Sequence, residues 1–251
     1  MDMAFATKLV ALIGGRYFIT AGIAFLIFYV LLGSRWAHRR VQLRCPQRAD
    51  YLREVGYSVS TILVFAAVVS PLMTHPAIAP HTTRYQEMDE HGWVWYFLAF
   101  PVMLAMHDTY FYFTHRLMHH RRIFPHVHLA HHRSTNPSPW AAYAFHPLEA
   151  LLEIGIVPVF LFTIPVHRSH FFVFFLVMII YNVYGHLGYE LYPKGFQRTR
   201  VGRWINTSVN HNQHHQHFKG NYGLYFLFWD RMLGTIRQDY EDRFDEVSAR
   251  R

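Results

Sequence analysis

Apolar residues fall along this chain in long blocks separated by short polar segments. Residues 17–33 form a run of almost pure apolar character. Residues 57–73 form a second that ends near Pro71. Residues 93–106 form a shorter third, which leads into the aromatic stretch Tyr110–Phe113. The region 151–184 is too long for one crossing and is broken at Pro165-Val-His-Arg-Ser-His170, so it predicts a helical hairpin with arms 151–164 and 171–184. A helix needs about 20 apolar residues to cross a bilayer. Several of these runs are shorter, so tilt or partial insertion is expected. The pattern predicts an all-α integral membrane helical bundle of about four spans. It divides the chain into an N-terminal span and basic loop (1–56), a membrane-embedded catalytic domain (57–237) and a charged tail (238–251) expected to fray. Arg16 interrupts the first apolar stretch and no convincing cleavage site follows, so that stretch is expected to be a retained span.

The polar segments orient the bundle. Arg35, Arg39, Arg40, Arg44, Arg48 and Arg53 lie between the first two runs, which predicts a cytoplasmic loop. Residues 74–92 hold one arginine and three acids and should face the other side. Counting crossings onward brings residues 107–133, His186 and residues 211–217 to the cytoplasmic face together.

Composition agrees. Apolar residues make up 52% of the 251 and charged residues only 16%, against about 25% in soluble domains. The net charge of +8 lies between apolar runs and does not stripe a polar domain, so no nucleic-acid partner is expected. The single cysteine, Cys45, excludes an internal disulfide, a Cys-based zinc site and a Cys-ligated iron–sulfur cluster within one chain.

The chemistry lies in the histidines. Eight of the 20 fall between His107 and His132 and four between His211 and His217. They recur as His115-x3-His119, His128-x2-His131-His132 and His211-x2-His214-His215. Residues three and four apart share a helix face, so each cluster aims imidazoles at one point, and a neutral imidazole is the commonest metal ligand. The number of donors is enough for two ions, and imidazole suits Zn, Cu, Fe or Ni. His38, His75, His81, His91, His167 and His170 are expected to be ordinary structural residues.

The segment Asp108-Thr-Tyr-Phe-Tyr112-Phe-Thr-His115-Arg116-Leu-Met-His119 resembles the first motif of the sterol desaturase/fatty acid hydroxylase superfamily. His128-Leu-Ala-His131-His132 resembles the second. Phe145-His146-Pro147-Leu-Glu149 and Gly185-His186-Leu-Gly-Tyr-Glu190 resemble further segments. His211-Asn-Gln-His214-His215-Gln-His217-Phe218, with Asn221-Tyr222-Gly223 and the run from Trp229 to Thr235, resembles the last. The resemblance covers about residues 57–235. It implies a membrane di-iron oxygenase with a histidine-rich helical cap on the cytoplasmic side. It also implies that His115, His119, His128, His131, His132, His186, His211, His214 and His215 are ligands, with zinc able to substitute for iron. Fatty acid 2-hydroxylase members carry a histidine where this chain has Glu190, which points toward the sterol-type branch. Glu190 and Asp108 are expected at the catalytic centre: Glu190 as a ligand, directly or through water, or by orienting His186, and Asp108 by holding an imidazole, with a helix or loop cap as its plainer role. His107, His120, His126, His146 and His217 are expected to support the ligands. Arg116 and Arg231 are expected in ion pairs, Gly223 to supply a positive φ in a turn, and Trp229 to anchor at the membrane interface.

The implied substrate is a lipid or sterol-like molecule from the bilayer, hydroxylated or desaturated with O2. No dinucleotide fingerprint or haem segment is present, so electrons are expected from a separate reductase with a ferredoxin or b-type cytochrome. A zinc-dependent hydrolase and a metal transporter are the alternatives. The excess of arginine over lysine (21 to 3) favours a bacterial plasma membrane; a eukaryotic member would sit in the endoplasmic reticulum.

Overall fold

The computed structural model describes residues 2–250. Helix α1, Met3–Phe25, starts on an Asp2 cap that accepts from Phe5 N and runs on as a π-helical turn, Leu26–Leu31. Helix α2 (Arg48–Thr74) opens on a Gln47/Asp50 capping box and closes just before Pro76. Helix α3 (Trp93–Met118) ends at His119. The short helices α4 (Phe124–Val127) and α5 (Leu129–His132) carry the central histidines. Next come α6 (Pro147–Ile154), α7 (Ile156–Thr163) and α8 (Arg168–Gly185), the last capped by His167. The C-terminal part holds α9 (Ser208–His217), α10 (Phe228–Met232) and α11 (Tyr240–Ala249). One parallel pair of two-residue strands, β1 (Arg84–Tyr85) and β2 (Val166–His167), completes the architecture.

Helix α1 packs between α2 and α8, and α3 packs against α6, α7 and α8. Their shared core includes Tyr17, Phe65, Met103, Phe160, Phe174 and Ile179. Hydrocarbon gives such helices no hydrophobic drive to associate, so close packing and buried hydrogen bonds must join them. Tyr17 and Ser58 both donate to the Trp140 carbonyl, at 2.9 and 3.2 Å, and so tie α1 and α2 to one loop. Apolar side chains also point outward: Val94 is 82% exposed and Ile19 64%. A soluble protein would hide such rows; a bilayer solvates them.

Among the described residues, three helices are long and apolar enough to cross a membrane: Met3–Leu31, Arg48–Thr74 and Arg168–Gly185. At 26 residues α3 is comparably long, but His107, Asp108 and His115 make its second half polar. The expected hairpin arm 151–164 is not one helix. It is divided into two eight-residue helices, each about 12 Å long and too short to cross. The break falls at Gly155, where Pro158 has no N–H to give the Ile154 carbonyl and the Tyr110 hydroxyl bonds the Leu152 carbonyl at 2.7 Å.

The β1–β2 pair ties the segment after α2 to the turn before α8 at one end of the bundle. At the other end Val41 N donates to Gly188 O (2.9 Å), Glu190 N to Arg39 O (3.0 Å), and Gln42 to Asn212 (2.8 Å). The arginine loop therefore sits at the same end as the histidines. The tail expected to fray instead forms α11. Tyr240, Phe244 and Val247 on one of its faces pack with Val41, Val209 and Leu227 into a second small core, a spacing of three and four that the charged residues between them obscure.

Candidate metal centre

Helix α9 carries three of the candidate ligands. Thr207 starts it by accepting from Asn210 N, and the Glu190 carboxylate accepts from Val209 N at 3.1 Å, where a helix N-terminus favours negative charge. His211, His214 and His215 then face the ends of α3 and α8 and the short α5. Nine imidazoles converge as two groups. His115, His119, His128, His132 and His214 form one; His131, His186, His211 and His215 form the other. Within each group one nitrogen from every ring lies within 4.8 Å of all the others. All are buried except His119, which is half-buried.

The ring contacts identify the chemistry. His186 Nδ1 meets the Asn182 carbonyl (2.8 Å) and His215 Nδ1 the Ser134 carbonyl (3.0 Å). A carbonyl only accepts, so both Nδ1 atoms carry the proton and both Nε2 atoms present lone pairs. Those two Nε2 atoms are 3.2 Å apart, a contact that is repulsive for two lone pairs and suits a shared cation. In the first group His115 Nε2 and His128 Nε2 are 3.0 Å apart, and His119 and His214 3.1 Å. Two donors at right angles around an ion about 2.1 Å away lie about 3.0 Å apart. Protonation is no alternative remedy: burial, reinforced by neighbouring imidazoles, pushes His128, His132, His211, His214 and His215 well below the ordinary histidine range, and His119 and His186 down to about 2 and about 4. Neutral rings with converging lone pairs fit two cations.

The carboxylates differ from expectation. Asp108 holds no imidazole: its Oδ1 accepts from Tyr225 N (2.9 Å) and Phe226 N (3.1 Å) and so clamps a loop. Glu190 binds the Tyr184 hydroxyl (2.8 Å), Tyr192 N (2.9 Å) and Val209 N, and acts on His211 only by fixing α9. Glu149 is the carboxylate at the centre, 2.7 Å from His128 Nδ1. Burial pushes Glu149 well above the usual carboxylate range. A cation held by His128 would oppose that shift and favour the carboxylate. The His-Pro-x-Glu spacing was its only signal in the sequence.

None of the five supporting histidines joins either group. His107 is buried and pairs its Nδ1 with the Tyr225 hydroxyl at 2.9 Å. His146 caps α6, and His120, His126 and His217 are exposed. Backbone carbonyls support the first group instead. Tyr222 O takes His115 Nδ1 (2.9 Å) and Gly220 O takes His214 Nδ1 (2.7 Å). Asp230 holds that loop through Tyr222 N and Gly223 N, at 2.9 and 2.8 Å. The positive φ angles fall at Gly220 and Asn221, not at Gly223. Gly223 is glycine for space, since a Cβ there would lie 2.3 Å from Phe226 O. Trp229 bonds Thr109 at 3.1 Å and packs on Tyr112 and Phe113, so it staples α10 to α3. Arg231 reaches Glu241 at 3.5 Å, whereas Arg116 reaches only the Tyr112 hydroxyl, at 3.3 Å.

Apolar space leads toward the centre. A cavity of about 520 Å³ lies between α1, α2 and α8 in the half away from the nine histidines, lined by Leu12, Val69, Val157 and Phe172 among others. It touches none of the nine. A narrow pocket shares Phe65, Tyr143, Ile154 and Phe175 with it and continues to Phe111, Phe145 and His107. Phe111 packs on His115 and Phe145 on His131, with ring centroids 4.9 and 5.2 Å apart. Phe145 and Phe111 thus separate the two spaces from one ring of each group.

The family model for fatty acid hydroxylase matches residues 100–235, the stretch that carries all nine histidines. A Delta(7)-sterol 5(6)-desaturase of Gibberella zeae is 31% identical over 177 residues, 69% of this chain and 53% of that protein. A Delta(7)-sterol 5(6)-desaturase of Aspergillus fumigatus is 28% identical over 235 residues, 91% of this chain and 68% of that one. The lathosterol oxidase of Rattus norvegicus is 31% identical over 188 residues, 71% of this chain and 61% of that one. The chain thus spans about half to two thirds of the length of these relatives. No solved structure matches it. The family match covers more than half of the 251 residues and coincides with the motifs that resembled the sterol desaturase group, and the chain belongs to the fatty acid hydroxylase family.

Proposed function

We propose that the chain is a membrane-bound di-iron oxygenase that hydroxylates or desaturates a lipid or sterol-like substrate with O2 and external electrons. The observation that carries this reading is the pair of imidazole groups with converging lone pairs, from which Phe111 and Phe145 divide a neighbouring apolar space. The five and four histidines named above would hold the ions. Iron there supplies dioxygen activation and removal of hydrogen from an unactivated C–H bond.

The chain's own residues do the rest. The carbonyls of Tyr222, Gly220, Asn182 and Ser134 fix the tautomers and ring angles of His115, His214, His186 and His215. Glu149 raises the donor strength of His128. Phe111 and Phe145 keep water from the rings on the substrate side. A cavity of about 520 Å³ is within the range of roughly 300–1,000 Å³ found for small-molecule sites. The sterol names of the relatives favour a sterol-like body. Helix α3 serves as a fourth span, and the arginine loop makes the histidine end cytoplasmic and a dock for an acidic electron carrier.

The test is lipid analysis of cells expressing the wild type or His214→Ala, combined with metal analysis of the purified chain. The expected result is two irons per chain and a lipid shifted by one oxygen or two hydrogens, absent in the variant and under strict anaerobiosis. Product formed without O2 overturns the reading.

A further inference from the structure

Arg16 stands alone in an apolar wall. It lies midway along α1, a membrane-crossing helix, and lines the 520 Å³ cavity beside Ile13, Phe65 and Phe172. Its Nε is buried without a hydrogen-bond partner, and its guanidinium lies 4.6 Å above the Phe172 ring. An arginine inside a span is costly and is kept where it faces a partner or a pathway. The other polar groups of this cavity are spent or lie at its rim. Ser169 bonds Tyr96 (2.8 Å) and His167 (2.7 Å), His167 also bonds Gln86 O (2.8 Å), and Arg168 is exposed. Tyr143, next to Arg16, lines both the cavity and the narrow pocket that continues toward the histidines. Leu12 and Phe172, 44% and 53% exposed, leave the cavity open toward the bilayer.

We infer that Arg16 is a specificity residue that binds an anionic oxygen group of the substrate, which makes the substrate a lipid with a carboxylate, sulfate or phosphate placed away from the reacting carbon. The inference rests on the reading of this cavity as the substrate's. A guanidinium has five N–H donors and prefers planar oxyanions. In apolar surroundings such a charge-assisted pair is strong, whereas a neutral alcohol satisfies the cation poorly. Arg16 lies outside the family-matched residues 100–235 and lines a cavity that touches none of the nine histidines, so it would select the substrate without touching the metal centre.

The experiment uses the full chain in nanodiscs of neutral phosphatidylcholine, with cis-parinaric acid as the probe and its methyl ester as the uncharged control. Binding is read as saturable quenching of tryptophan fluorescence. The wild type is expected to bind the acid at least about tenfold tighter than the ester. Arg16→Leu should lose that preference and keep ester binding, and Arg16→Lys should retain most of it. Equal binding of acid and ester by the wild type overturns the inference, as does an unchanged acid preference in Arg16→Leu. The first result is also the one expected if Arg16 merely pairs with a bilayer phosphate. Should Arg16→Leu lose both ligands, Arg16→Gln decides by the same acid-to-ester ratio. Binding needs neither metal nor turnover, so an Arg16-dependent preference in a protein without O2-dependent product would sink the oxygenase reading alone.

Discussion

The two histidine groups are built on different supports. The five-membered group rests on a loop and a carboxylate: His115 and His214 hang from Tyr222 O and Gly220 O, and His128 from Glu149. Its member His119 is half-buried. The four-membered group is wholly buried, and His186 and His215 hang from carbonyls in α8 and just after α5. The first group has a spare donor and a support that shifts with one loop. The second has no spare donor, and its loop support is the Ser134 carbonyl alone. The first site is therefore the more adjustable one, and the second is held mainly by the helices.

Removing a donor breaks the comparison most sharply. His211→Ala leaves the second group three imidazoles, and His214→Ala leaves the first group four. Both should cut turnover by more than the roughly 100-fold that losing a supporting residue costs. Only His211→Ala should also drop tightly held metal from two equivalents to one, as read by elemental analysis after dialysis. Equal metal loss in both variants would show that the fifth donor is idle.

Glu149→Gln addresses the support. Glutamine keeps the shape and still accepts from His128 Nδ1, but it no longer raises the ring's donor strength. Metal affinity of the first group should fall roughly 10- to 100-fold, with the second unchanged. Metal titration in the His211→Ala background isolates the first group. No change there would leave Glu149 as a simple hydrogen-bond partner.

Much of this centre was legible from spacing. Histidines three and four apart on short helices have to share a face, and all nine that the motifs singled out converge. The supports were hidden because they are mostly backbone. Nothing in the sequence says that the carbonyl of Tyr222, 107 residues from His115, will meet its ring. Carboxylates mislead for a related reason. Asp108 and Glu190 satisfy backbone amides and Glu149 an imidazole, and these roles look alike in a sequence. The crossings were readable where apolar residues run unbroken. The single helix expected for 151–164 overlooks Gly155 and Pro158, which mark its break; what the sequence hides is the Tyr110 hydroxyl that reaches across from α3 to the Leu152 carbonyl there.

Asp230→Asn loosens the loop itself. Asp230 Oδ1 accepts from Tyr222 N and Thr235 Oγ1, and Oδ2 from Gly223 N. An amide offers one oxygen, so its NH2 must face a buried N–H or hydroxyl. Leaving such a donor unpaired costs about 1–3 kcal/mol. Thermal unfolding should show the loss, and metal should weaken in the first group alone.

His217→Ala should do least, and it sharpens where the first group ends. His217 follows His214 by three residues, the same interval that separates His211 from His214, so spacing alone would make it a ligand. Helix α9 stops at His217, however, and Phe218 turns the chain at a φ of 62°. The side chain is left exposed and outside both groups. An exposed residue of this kind changes stability by no more than about 0.5 kcal/mol. The variant should keep both metal equivalents and near-normal turnover. A loss of metal would extend the first group to six donors and make it the saturated site, the reverse of the adjustable role its loop and carboxylate assign to it.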